Sequence, residues 1–174
     1  MAPLVRRISA PRGQTPELVP KGGSREKVSV AAAVWLSPRR DRLGLCSRTL
    51  DDGYFDSWYM AAFLEAMLKD LAGRFVVVWD GGPMHKGDPI HDLMRQFADR
   101  LNLERLPLHA PMLNPIEPLW SWLKWGRLIN FGPRDSHELD ARVIAELARV
   151  SDDQAFSRNL FHGSELPLPR ALLS

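Results

Sequence analysis

Two carboxylates stand out by where they fall. Asp80 ends the apolar run Phe75-Val76-Val77-Val78-Trp79, and Glu117, 37 positions later, lies in Leu113-Asn114-Pro115-Ile116-Glu117-Pro118-Leu119-Trp120. An acid at the carboxyl end of a strand occupies the place where α/β sheets usually hold their ligands. An acid in the first turn of a helix can point back at that strand tip. Such a pair offers hard oxygen ligands to Mg²⁺ or Mn²⁺. Two ions held by carboxylates can both activate a nucleophile and stabilise the leaving oxygen of a phosphodiester. Each acid also has a plain structural role available to it. Asp80-Gly81 is a common turn pair, and Asn114-x-x-Glu117 is the pattern of a helix cap followed by a glutamate at N3.

The elements that must position these acids follow from periodicity. Lys27 to Leu36 alternates Val28, Val30, Ala32 and Val34 with Ser29, Ala31 and Ala33, which predicts a strand. Ser37 to Asp41 is a turn and Arg42 to Thr49 a return strand, so this region is a hairpin. Tyr54 to Leu71 keeps helical spacing through Phe55, Trp58, Tyr59, Ala62, Phe63, Ala66 and Met67, with Gly73 as its stop. Phe75 to Trp79 is a continuous β-branched run, the signature of a buried central strand. A helix over Pro89–Leu101, a strand over Leu103–His109 and a helix over about 115–126 follow, the last with Asn114 as cap and Pro115 at its first position. Two further helices are expected over Ser136–Val150 and near Asp153–Leu160. This order predicts an α/β domain with a mixed sheet. Three regions are expected: a basic irregular arm over 1–26, the α/β body over 27–130, and a C-terminal helical extension and tail over 131–174.

Composition sets the outer limits. The chain has 174 residues, 45% of them hydrophobic and 25% charged, which suits one folded domain rather than a disordered chain. The single cysteine, Cys46, cannot form an internal disulfide, and a reduced compartment is expected. No apolar run reaches the roughly 20 residues of a membrane span, and the first residues have no secretory core. Net charge is +2, but Lys and Arg crowd the first 50 residues, as expected of a nucleic-acid-facing edge beside an acidic metal site. Arg12, with Arg6, Arg7, Arg25 and Lys27, is a candidate phosphate-tracking strip. His85 and Lys86, just after the Asp80 turn, are candidates to touch DNA or to orient the site, and Lys124 is a candidate phosphate contact. Each of these has the simpler reading of a solvated surface residue. Trp120 is expected in the core, with Trp122 or Trp125 partly exposed.

Longer stretches carry a resemblance. Val76 to Asp80 with His85-Lys86, and Leu106-Pro107-Leu108-His109-Ala110-Pro111-Met112 running on through Leu113–Trp120 to Lys124, resemble the insertion-sequence transposases of the mariner-related DDE superfamily. Ala10-Pro11-Arg12-Gly13-Gln14-Thr15-Pro16 is similar to the stretch that follows the first catalytic strand in that family. The resemblance covers about residues 3–130 and implies a ribonuclease-H-like mixed sheet flanked by helices. It implies Asp80 as the second catalytic acid and Glu117 as the third, with two Mg²⁺ (or Mn²⁺) ions in an intact member. It further implies DNA partners (the element's ends and the target), a homodimer in an intact member, no membrane association, and a cytoplasmic, nucleoid-associated location. Asn114 would then be a supporting residue of the site.

The chain departs from the family in two places. Gly81 stands where most members carry Asn, which removes an amide beside the second acid. The first catalytic Asp belongs upstream of Ala10, and none of the nine residues before Ala10 is acidic. The first acid, its central strand and the N-terminal DNA-binding region are therefore expected to be missing. These departures lead to the expectation of a transposase catalytic-domain fragment for DNA strand cleavage and transfer, inactive as this chain. The alternatives are a catalytically dead DNA- or partner-binding remnant, or an unrelated α/β enzyme cradling a phosphate in Gly81-Gly82-x-x-His85-Lys86-Gly87.

Overall fold

A computed structural model describes residues 27–39 and 41–166. The expected basic arm over 1–26, with Arg12, lies outside the described residues. The hairpin forms as expected: β1 (Val28–Leu36) pairs antiparallel with β2 (Leu43–Asp51), in register from Val28↔Asp51 to Leu36↔Leu43. Ser37 fixes the turn, its Oγ donating to Asp41 Oδ1 at 2.6 Å and accepting the Asp41 and Arg42 N–H groups at 3.1 Å. Helix α1 (Ser57–Asp70) begins where the Asp56 side chain accepts the Tyr59 N–H.

Strand β3 (Phe75–Trp79), helix α2 (Asp88–Gln96) and strand β4 (Leu101–Arg105) form a right-sized βαβ unit, with β3 and β4 parallel from Phe75↔Leu101 to Trp79↔Arg105. The sequence expectation placed α2 through Leu101 and β4 over 103–109. Instead, α2 stops at Gln96 and Leu101 opens the strand. Arg100 accounts for this, because its guanidinium donates to the carbonyls of Leu68, Leu71 and Gly73 and ties the start of β4 to the end of α1. The Leu106 N–H still reaches the Trp79 carbonyl at 2.8 Å, but Pro107 has no N–H to continue the ladder.

Among the described residues the strands form two separate two-stranded sheets, β1-β2 and β3-β4, rather than one mixed sheet. Helix α1 joins them. Phe63 and Met67 pack on Ala31, Ala33 and Cys46 of the hairpin, while Leu64 and Leu68 pack on Phe75, Val77 and Trp79 of the parallel pair. The two rows are offset by one residue along the helix, so they point about 100° apart and each serves one sheet. The opposite face of the hairpin is covered by the later helices: α3 (Glu117–Ser121), the π-helical segment Trp122–Arg127 that continues it, α4 (Ser136–Val150) and α5 (Gln154–His162). Leu45, Val30, Ala32 and Val34 meet Ile116, Leu119, Leu123, Val143, Leu147 and Leu160 there, with Leu119 fully buried.

Strand β3 is not buried on both faces as its composition predicts. Phe75, Val77 and Trp79 are covered by α1 and α2, but Val76 and Val78 are exposed, because α3 to α5 pack on the hairpin instead. The free edge of β2 is closed at one end by main-chain mimicry. Gln154 accepts the Leu43 N–H through Oε1 at 2.9 Å and donates to the Leu43 carbonyl through Nε2, and Leu45 N–H bonds the Ser151 carbonyl.

Candidate functional site

Asp80 follows the last residue of β3 and begins a tight turn. Its Oδ1 accepts the Gly82 N–H at 2.9 Å, so the turn role of the Asp-Gly pair is realised. The same Oδ1 lies 2.9 Å from His85 Nδ1, which also lies 2.9 Å from the Asp80 carbonyl oxygen. Both atoms facing Nδ1 are acceptors, so that nitrogen carries the proton. The His85 ring stacks flat on Trp79, with centroids 4.4 Å apart and planes 8° apart, and its side chain is only 12% exposed. The indole is itself in the core. Core packing thus fixes the imidazole, and the imidazole fixes one carboxylate oxygen. Oδ2 of Asp80, on a side chain 59% exposed, has no partner among the described residues.

The glycines after Asp80 leave room for the side chains packed around them. A Cβ on Gly82 would come within 2.6 Å of the Met84 sulfur and 3.0 Å of Asp80 Oδ1. A Cβ on Gly81 would come within 2.8 Å of an Arg105 guanidinium nitrogen. Arg105 ends β4 beside Trp79 and leans across to the Gly81 carbonyl, 3.4 Å away. A guanidinium therefore occupies the space beside Gly81. Sequence reading did not select Arg105; the signal was its place as the last residue of the strand that neighbours β3.

Glu117 opens α3, with Ile116 rather than Asn114 at the position before it and no side-chain bond from Ile116 to cap the helix. The Asn114 side chain accepts the Ile116 N–H at 3.2 Å, its carbonyl accepts the Glu117 N–H at 3.1 Å, and its own N–H bonds the Pro111 carbonyl. Residues 114–116 are thus a turn, the helix starts at Glu117 rather than at 115, and Pro118 rather than Pro115 lies in its first turn. Since the Asn114 N–H is already taken, Glu117 closes no capping box. Its carboxylate is exposed and without a partner among the described residues. It borders a concavity with Pro111, Met112, Asn114, Pro118, Ser121 and Gly163.

The structure therefore brings Asp80, His85 and Arg105 together, and Asn114 with Glu117. No hydrogen bond or ion pair joins the two groups. Lys86 is exposed and Lys124 half-buried in the π-helical segment, neither in an ion pair among the described residues. Trp120 packs against the main core, as expected, Trp122 is held edge-on by Phe156 at 4.8 Å, and Trp125 is exposed. Among the described residues no cluster of three or more His, Cys, Asp or Glu side chains is placed to hold a metal ion. The free oxygens of Asp80 and Glu117 have the chemistry a hard divalent cation requires. No described helix is long and apolar enough to cross a membrane.

The architecture is that of a ribonuclease-H-like α/β domain. It matches the Mos1 strand transfer complex with a TM-score of 0.59 at 16% identity, covering 92% of this chain and 47% of that one. It matches the Mos1 transposase paired-end complex with left transposon end at 0.60 and 16%, covering 92% and 48%. This chain thus spans about half the length of the solved chains it resembles. No curated protein matches it in sequence. The family is nonetheless defined: residues 2–138 match the DDE superfamily endonucleases, and the chain belongs to that family. The resemblance read from the Asp80 and Glu117 segments is upheld.

Proposed function

We propose that the chain is part of a transposase catalytic domain for Mg²⁺- or Mn²⁺-dependent DNA strand cleavage and transfer, with Asp80 and Glu117 as metal-holding acids. The observation that carries this reading is that each acid keeps carboxylate oxygen free of structural bonds among the described residues. Asp80 meets its turn and its histidine through Oδ1 alone, leaving Oδ2 free, and Glu117 does not cap its helix. A bound ion would lower the pKa of its water and offset charge on a phosphodiester. The chain's own residues contribute orientation: His85 and the Gly82 N–H hold Asp80, and Arg105 places a permanent positive charge at the same strand ends. Asn114 shapes the loop that presents Glu117. Lys86, Lys124 and Arg12 are proposed DNA contacts, and the complete protein is proposed to act as a dimer on element ends and target, in the cytoplasm and on the nucleoid. The division at residues 26 and 130 is retained as a proposal for the domain plan.

The 174-residue chain on its own is proposed to be inactive, because no group of three or more His, Cys, Asp or Glu side chains among the described residues is placed to hold a metal ion. The test is nicking of supercoiled DNA by the purified chain with Mg²⁺ or Mn²⁺, beside Asp80→Ala and Glu117→Ala in a version carrying the complete catalytic domain. The chain alone should not nick, and either substitution should abolish cleavage in the complete version without unfolding it. Nicking by the chain that depends on Asp80 would overturn the inactivity. Cleavage retained in either mutant would overturn the assignment.

A further inference from the structure

Glu146 is the one buried charged residue among the described residues, 1% exposed, on the inner face of α4. Three arginines converge on it. Arg142 Nη2 lies 2.9 Å from Oε1, Arg149 Nη1 3.6 Å from Oε1, and Arg127 Nε 3.5 Å from Oε2. A buried carboxylate needs a partner, since an unpaired charge out of water is strongly destabilising. It does not need three. Only the Arg142 contact is at hydrogen-bonding distance, and three guanidiniums carry about fifteen N–H donors against about four lone-pair sites on one carboxylate. The cluster therefore keeps a surplus of two positive charges and most of its donors.

That surplus is accessible, and two of its members are braced. Arg127 lies over the Trp122 ring at 5.1 Å and Arg142 over the Phe131 ring at 5.7 Å. The three side chains remain 46%, 44% and 71% exposed for Arg127, Arg142 and Arg149. Arg142 and Arg149 are two helical turns apart, roughly 10 Å, so the row is longer than a single phosphate group and suits a run of them. Arg127 lies ten residues beyond Glu117 on one nearly continuous helix, roughly 15 Å along its axis. A duplex is long enough to span that separation.

We propose that Arg127, Arg142 and Arg149, pinned by Glu146, form a docking surface for the phosphate backbone of duplex DNA. Arg142 and Arg149 lie beyond the residues matched to the family. The inference rests on the reading of the chain as DNA-processing. Guanidinium–phosphate pairing is favoured by the planar fork of arginine, and the contact is independent of sequence.

The test is fluorescence anisotropy of the 174-residue chain on a random-sequence duplex of about 30 base pairs, titrated across salt concentrations without divalent metal. Arg149→Gln should reduce the slope of log K against log salt by about 0.9 and weaken binding about eightfold near 0.1 M salt. Lys69→Gln, which removes a positive charge on α1, should leave the slope unchanged. Glu146→Gln is decisive because it should bind DNA more tightly and with a steeper slope, even as its melting temperature falls. A purely structural cluster predicts the opposite, weaker binding along with lower stability. Should Glu146→Gln fail to fold, Arg149→Gln decides alone. An Arg149→Gln slope equal to that of the wild type, or a folded Glu146→Gln protein with unchanged or weaker binding, would overturn the proposal. So would a wild-type chain that does not bind duplex at low salt. Mn²⁺ binding that depends on Asp80 judges the metal-site reading separately, so the two failures are distinguishable.

Discussion

His85→Phe isolates the part of the site that the structure defines most closely. Phenylalanine keeps a flat ring to stack on Trp79, where the centroids are 4.4 Å apart, but removes the Nδ1 donor to Asp80 Oδ1 at 2.9 Å. Oδ1 then retains only the Gly82 N–H, and the carboxylate is free to rotate. Because Asp80 is 59% exposed, water replaces much of the lost bond, and the contribution to stability is well under the 1.5 to 3 kcal/mol of a buried charge-assisted bond. We expect less than about 0.5 kcal/mol in folding stability by urea titration, which is the range of an ordinary surface change. The cost appears instead in metal affinity, where an oxygen no longer held in place loses up to about 1 kcal/mol, or roughly fivefold in Kd. The assay is Mn²⁺ titration followed by electron paramagnetic resonance of the free ion. His85→Asn, which restores a side-chain N–H donor, should recover most of the affinity. Equal Mn²⁺ affinity in wild type and His85→Phe, with Asp80→Ala clearly weaker, would refute the orienting role of His85.

Other expectations follow from packing and linkage. Leu119→Ala should lose about 3 to 5 kcal/mol in chemical denaturation, since Leu119 is fully buried where α3 meets the hairpin; a loss below about 1 kcal/mol would mean that this interface is not core. Gln154→Ala leaves the Leu43 N–H and carbonyl without partners, costing about 1 to 3 kcal/mol per orphaned group; an unchanged urea midpoint would contradict it. The Arg134 backbone N–H and guanidinium hold Glu138 below its ordinary 4.5. A depressed carboxylate adds stability that is present above its unfolded pKa and is lost as pH falls through the folded one. Glu138→Gln should therefore flatten the decline of Tm below about pH 4.5 and nowhere else. Burial, and then the Asp70 charge, push the Cys46 thiol above its ordinary 9.0, so iodoacetamide should modify it more slowly in the folded chain than in urea at the same pH.

The sequence disclosed most of this fold because its strands and helices obey simple periods. The hairpin, α1, α4 and α5 fall within a few residues of their expected bounds. The errors came where a distant residue sets a boundary: Arg100 reaching back to α1 moved β4 two residues earlier, and the Asn114 turn delayed α3 to Glu117. Burial of β3 was misjudged for a similar reason. A run of valines shows what a strand can bury but not which helices arrive to cover it, and Val76 and Val78 stay exposed. The places of Asp80 at the strand end, His85 in the turn after it and Glu117 at a helix start follow from their segments. That of Arg105 does not, because its relation to Gly81 depends on the parallel register of β3 and β4. Around Glu146, Arg142 and Arg149 follow from helical spacing, whereas Arg127 joins them only through tertiary packing.

The proposed sharing of one divalent cation by Asp80 and Glu117 is tested by crystals of the 174-residue chain soaked in Mn²⁺, with data collected at the manganese absorption edge. One anomalous peak should lie against Asp80 Oδ2 and the Glu117 carboxylate and be lost in Asp80→Ala. Separate peaks at the two acids, or a peak touching neither, would contradict it.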